Sequence, residues 1–167
     1  MAMTPKHRNL PQLLLQSREA LMQRFRPMLN AHGVTEQQWR IVRALLEEDE
    51  LEPRQLCARC LISSPSIAGV LMRMEEAGLI ERERMEHDQR RVKVSLTASA
   101  IELGKSMTPA IELQYAELEK MVGALPLQQV YDVLDILLQR LGYPDDLADE
   151  EQPKAGQGAA QKKRTRR

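Results

Sequence analysis

Cys57 and Cys60, spaced as Cys-x-x-Cys in CARC, are residues whose type and spacing could do chemistry. Such a pair can exchange disulfides or supply half of a four-ligand zinc site. The other soft ligands, His7, His32 and His87, are scattered, and the chain holds only these two cysteines. Leu56, Cys57, Cys60 and Leu61 also fall at helical spacing, so two small core residues explain the pair as well. No hydrolytic triad, glycine-rich phosphate loop or closed metal set is present. The sequence therefore gives no catalytic residue, no metal and no cofactor to assign.

Hydroxyls and cations offer a second chemistry. In SSPSIAGVLMRM, Ser64 can cap a helix whose first residue is Pro65. A helix that enters a DNA groove needs small or hydroxylated residues at its N-terminus, where free N–H groups favour phosphate. Ser63 or Ser64 suits a phosphate, Ser66 can reach base edges or backbone, and Ala68 and Gly69 keep the surface low. Arg73 extends from the solvent side. Alternatively, the serines merely cap an amphipathic helix. Arg54 and Gln55, which open the preceding helix, are candidate phosphate contacts, as is Arg59, or they form a solvated first turn.

The elements that must position these residues are mainly helical. Aromatic residues make up only 3% of the 167, which disfavours a strand-rich core. Leu10 to about Ala31 is one helix, stopped by Gly33, with Pro27 expected to bend its last turn. Thr35 and Gln38 form a capping box for a second helix running to about Glu47. EEDELE reads as a loop, and PRQLCARC as a short helix entered through Pro53. The next helix buries Ile67, Val70, Leu71 and Met74 and ends at Gly78; the two make a helix-turn-helix candidate.

The period then changes. Leu79–Arg84 and the alternating Val92, Val94 and Leu96 predict a hairpin joined through MEHDQRR. From Ala98 a long helix follows, interrupted by Gly104 and kinked at Pro109. A last helix runs from near Pro126 to Leu141. The fold class is mostly α with a small β-hairpin: a winged helix-turn-helix core enclosed by helices from both chain ends. Val133, Leu134, Leu137, Leu138 and Leu141 form an apolar band that one small winged domain cannot bury beside that of the first helix. A symmetric partner can, which predicts a homodimer.

Charge is uneven along the chain. The 24 basic and 24 acidic residues cancel, but 152–167 carry six basic groups and no acid; removing six of 24 leaves 18 basic against 24 acidic. An acidic body does not exclude nucleic acid, because the field near a patch outweighs the sum. The basic end could strengthen DNA binding or be a solvated terminus. No apolar run approaches the ~18 residues of a membrane span, and the start is too polar for a signal peptide, so a cytoplasmic protein is expected.

The helix SPSIAGVLMRMEEAGLIERE, the turn HDQRRVKVSLT and the Ala100-x-x-x-Gly104 of ASAIELG together resemble the multiple-antibiotic-resistance regulator (MarR) family of bacterial transcription factors. The likeness runs from Leu10 to Leu141. The opening LLLQSREALMQRFRPMLNAHGVTEQQWRIVRAL further resembles the branch that regulates homoprotocatechuate and related aromatic-acid catabolism. The resemblance implies a domain over 8–144, with a DNA-binding core at about 34–97 and dimerisation helices at about 10–31 and 98–141. Residues 145–167 form a tail expected to be disordered and basic from 154.

It also implies a dimer on palindromic double-stranded DNA, usually a repressor released by a small phenolic or aromatic carboxylate. Ser64, Ser66 and Arg73 then lie on the recognition helix, and Arg90 reaches the minor groove. Asp88 braces an arginine, either Arg90 or Arg73, and Arg91 and Lys93 lie near wing backbone contacts. The peroxide-sensing branch uses a first-helix cysteine, absent here, so CARC does not inherit that role.

For an effector, a carboxylate needs a cation and a ring needs apolar walls. Arg18, Met22, His32, Trp39, Arg40 and Arg43 are the candidates. A plainer reading pairs Glu36 with Arg40 and Arg43 with Glu47 on a solvated helix face. A second reading of the whole chain is a helical interaction or architectural protein without specific DNA recognition.

Overall fold

The computed structural model describes residues 7–85 and 88–143; residues 88–90 are described by their backbone. Six helices and three strands follow in the order α1 (Leu10–Ala31), α2 (Glu36–Glu47), β1 (Glu50–Leu51), α3 (Pro53–Cys60), α4 (Ser64–Glu76), β2 (Ile80–Met85), β3 (Asp88–Leu96), α5 (Ala98–Val122) and α6 (Ala124–Arg140). The mostly helical fold with a small sheet is the one the sequence led us to expect.

The capping box at α2 is complete. Thr35 Oγ1 accepts from Gln38 N–H at 3.3 Å, and Gln38 Oε1 accepts from Thr35 N–H at 2.8 Å. One turn of α4 differs from expectation. Its N-cap is Ser63 and the helix opens at Ser64, because the Ser63 carbonyl already accepts from Ser66 and Ile67 N–H. Ser63 Oγ donates to Ser66 Oγ at 2.8 Å instead of capping a backbone group. The segment EEDELE is also not wholly loop. Glu50 and Leu51 pair antiparallel with Ser95 and Val94, giving the sheet order β1-β3-β2. Two residues are too short to show strand periodicity.

Two helices run through prolines. α1 is continuous past Pro27, and α5 is one helix across Gly104 and Pro109 rather than interrupted. A proline removes one ladder bond, and neighbouring packing offsets that loss: Leu29 lies buried just beyond Pro27, and Met107 just before Pro109.

α3 and α4 meet at 109°, within the roughly 90–120° of a helix-turn-helix. Around them lies the main core: Ile41, Val42 and Leu45 of α2, Leu51, Leu56, Ile62, the four expected α4 residues, Ile80 and Val94. Each such side chain contributes about 1.5–3 kcal/mol on burial. A smaller cluster of Leu29, Val34 and Met107 ties α1 to α5, and Trp39 touches both clusters. α6 turns 105° from α5 and buries no residue. Among the described residues no single helix is long and apolar enough to cross a membrane.

Candidate nucleic-acid interface and adjoining cleft

The amphipathic pattern of α4 sets its function-bearing face. With Ile67, Val70, Leu71 and Met74 inward, Ser64, Pro65, Ser66, Ala68, Met72 and Arg73 are left exposed. This surface is low and hydroxyl-rich near the N-terminus, with one cation further along. The Arg73 guanidinium lies back along its own helix, with Nη1 3.4 Å from where a Cβ on Gly69 would stand.

Most cations around the helix-turn-helix are held by acids. Arg59 pairs with Glu48, Lys93 with Glu50, and Arg91 with Glu52, whose carboxylate also takes part in the capping box of α3. Arg82 Nε donates to Glu75 at 2.7 Å, and that hydrogen bond holds the Glu75 carboxyl below its ordinary range. Gln55 Oε1 accepts from Glu52 N–H at 2.7 Å, which commits part of that side chain to the cap. Arg54 and Arg73 make no ion pair among the described residues. The side chains of Asp88 and Arg90, together with His87 and the tail 145–167, lie outside them.

Beside α4 lies a cleft of about 630 Å³, lined by Leu15 and Arg18 of α1, Thr35 to Gln38 and Arg40 at the start of α2, Leu61, and Val70 and Arg73 of α4. Arg18 is paired with Glu36, which lies 3.4 Å from Arg26 as well. The expected Glu36–Arg40 pair is therefore replaced. Arg40 Nη1 instead donates to the Cys60 carbonyl at 2.6 Å, and its covered Nε has no hydrogen-bond partner among the described residues. A donor left unmatched in this way costs about 1–3 kcal/mol.

The effector candidates thus separate. Arg18 and Arg40 share the cleft. Met22 and Trp39 pack on the Leu29–Val34–Met107 cluster. His32 closes α1, with Nδ1 2.9 Å from the Met28 carbonyl oxygen, and Arg43 is exposed, 3.6 Å from Glu47. Phe25 and Tyr115 stack obliquely across α1 and α5, ring centroids 5.2 Å apart.

Comparison with known proteins adds to this geometry. A profile described as the MarR family matches residues 32–91. The homoprotocatechuate degradative operon repressor of Escherichia coli is 40% identical over 129 residues, 77% of this chain and 87% of its own. The chain belongs to the MarR family. The HTH-type transcriptional regulator FarR of Neisseria gonorrhoeae is 38% identical over 77% of this chain and 88% of its own. Two solved structures are similar over most of the chain: the transcriptional regulator PA4135 (41% identity, TM-score 0.77, 80% of this chain and 98% of that one) and NadR in complex with 4-hydroxyphenylacetate (38%, 0.70, 82% and 97%). The protein is a DNA-binding transcription regulator, not an enzyme.

In this MarR-family chain the cysteines are core material. Cys60 is buried, and desolvation pushes its thiol up to about 11; Cys57 is half-buried beside it. No group of three His, Cys, Asp or Glu side chains among the described residues could hold a metal. Sequence reasoning missed Leu15, Leu61 and the acids that clamp the wing root. Leu61 falls at helical spacing in the sequence, but α3 ends at Cys60 and leaves Leu61 as an exposed, left-handed C-cap with φ +49°.

Proposed function

We propose that this regulator is a homodimeric repressor of an aromatic-compound catabolic operon, working in the cytoplasm and released from a palindromic operator by a phenolic or aromatic carboxylate. The observation that carries the DNA-binding part is the exposed α4 face, with Ser64, Ser66 and an Arg73 that no described acid neutralises. α4 enters the major groove, and Arg54 and Gln55 meet phosphate at its flank. Arg90 extends the wing into the minor groove, and Asp88 braces an arginine, either Arg90 or Arg73. Arg91 and Lys93 lie at the wing backbone, where their pairing with Glu52 and Glu50 supports a positioning part.

Exposed apolar side chains support the dimer. Val130, Tyr131, Val133, Ile136, Leu138 and Leu141 on and beyond α6 are exposed, as are Leu10, Leu13 and Leu14 of α1. Faces of this extent are covered by a second copy, which sets two recognition helices about one DNA turn apart.

The effector reading draws on the repressor and NadR relatives and on the cations of the cleft. Arg18 and Arg40 hold the carboxylate in the cleft, while Met22, His32, Trp39 and Arg43, the other candidates, lie outside its lining. The test is a panel of aromatic acids, 4-hydroxyphenylacetate included, scored for thermal stabilisation and for operator release. Acids that stabilise and release support the reading. A protein that ignores the whole panel overturns it, and indifference to palindrome over random duplex overturns the repressor itself.

A further inference from the structure

Three features that have no common purpose in the fold meet at the turn between α3 and α4. Arg40 reaches from α2 to the carbonyl of Cys60, the last residue of α3, at 2.6 Å. Its Nε is covered and unpartnered. The next residue, Leu61, holds a left-handed φ of +49° that a side chain with Cβ rarely adopts, and stands 70% exposed. A strained, solvent-facing leucine gains nothing for the core. Arg40 and Leu61 line one cleft, and Val70 and Arg73 of the recognition helix form its other wall.

We infer that Arg40 is the latch between effector and DNA: in the free protein it pins the helix-turn-helix turn through Cys60, and a monocarboxylate with an apolar body, bound in the cleft, draws it off. The inference rests on the effector reading above and adds its route. A carboxylate accepts from a guanidinium more strongly than a neutral carbonyl does, and favours two parallel bonds. Offering the covered Nε to a ligand requires the guanidinium to swing toward the cleft. That swing takes Nη1 away from Cys60, so binding and unlatching are one event. Leu15, Leu61 and Val70 receive the apolar body. Glu36, already beside Arg18, disfavours a dianion.

Once unpinned, the turn relaxes at Leu61 and α4 loses its fixed place relative to α3. The ligand thus binds better to a form in which the recognition helix is misplaced, the differential affinity that any switch requires.

The test uses the full chain, 4-hydroxyphenylacetate and an operator duplex selected by the protein. The wild type should lose at least tenfold in operator affinity with the acid. Arg40→Met should start near the weakened value without ligand and change less than twofold on adding the acid, while Arg40→Lys, which can still reach the carbonyl, should restore most of the ligand-free affinity. Hydrogen exchange in the wild type supplies a readout free of folding defects: the acid should speed exchange at Leu61 and Ile62, whose N–H groups now bond to Ala58 and Cys57. Release of the wild type with unchanged exchange there, or an Arg40→Met protein that binds and releases like wild type, overturns the latch alone. A wild type that no aromatic acid releases overturns the effector reading with it.

Discussion

The winged head and the long helices treat their apolar residues in opposite ways. From α2 to β3 the leucines, isoleucines and valines of the inward faces are almost all buried in one cluster. In α6 none is buried, and α1 buries only Leu29. Composition does not cause the difference, since both regions are rich in Leu, Ile, Val and Met. Connectivity does. The head folds three helices and a sheet around a common centre, whereas α5 touches α1 and α6 along narrow seams. The head buries its apolar residues within itself, and the helices leave theirs exposed.

That contrast can be broken at several points. The largest effect is expected inside the head: Leu71→Ala should cost about 2–5 kcal/mol in chemical unfolding, since it opens a cavity no neighbour can fill. A loss below 1 kcal/mol would mean that the head is loosely packed. Paired Ile136→Asp and Leu138→Asp substitutions on α6 should convert a dimer to a monomer by sedimentation while leaving the head's α-helical signal. A pair that leaves the mass unchanged would remove α6 from the interface.

Smaller effects sharpen the electrostatic side. Arg73→Ala should weaken operator binding about tenfold, within the ~1–3 kcal/mol of a lost base contact, and Arg82→Ala should matter less because Glu75 already neutralises Arg82. Native Cys60 should resist alkylation at neutral pH, its thiol standing near 11 behind buried neighbours, and react once the chain is unfolded. The smallest effect concerns Glu75. Its folded pKa lies below the ordinary value of 4.5, so the stabilisation from Arg82 is present above that value and is lost as pH falls through the folded one. Glu75→Gln should therefore lower the unfolding midpoint slightly near neutrality and match wild type in strong acid. Curves that differ most in acid would reverse the assignment.

Much of the head was legible in the sequence because its signals are local. The Thr35–Gln38 box spans three residues, and Ile67, Val70, Leu71 and Met74 declare a helix face by spacing alone. What could not be read joins distant segments. Glu52 and Arg91 are 39 positions apart, and Arg40 meets a backbone carbonyl 20 positions away, where no side-chain type marks an acceptor. The plain i,i+4 rule instead paired Arg40 with Glu36, but Glu36 faces α1, where Arg18 and Arg26 compete for it. The two-residue β1 exists only through its pairing with β3. The family motifs pointed to a DNA-reading face and an effector, while the cleft needed three elements brought together.

The central claim is that a complete head, doubled through incomplete helices, reads symmetric DNA. Selection of duplexes from a random pool by the purified full chain, followed by sedimentation of the complex, tests it most directly. The expected result is an inverted repeat with half-sites about one helical turn apart, bound by two chains, with a single half-site bound far more weakly. Enrichment of an asymmetric sequence held by one chain, or no enrichment at all, would contradict it.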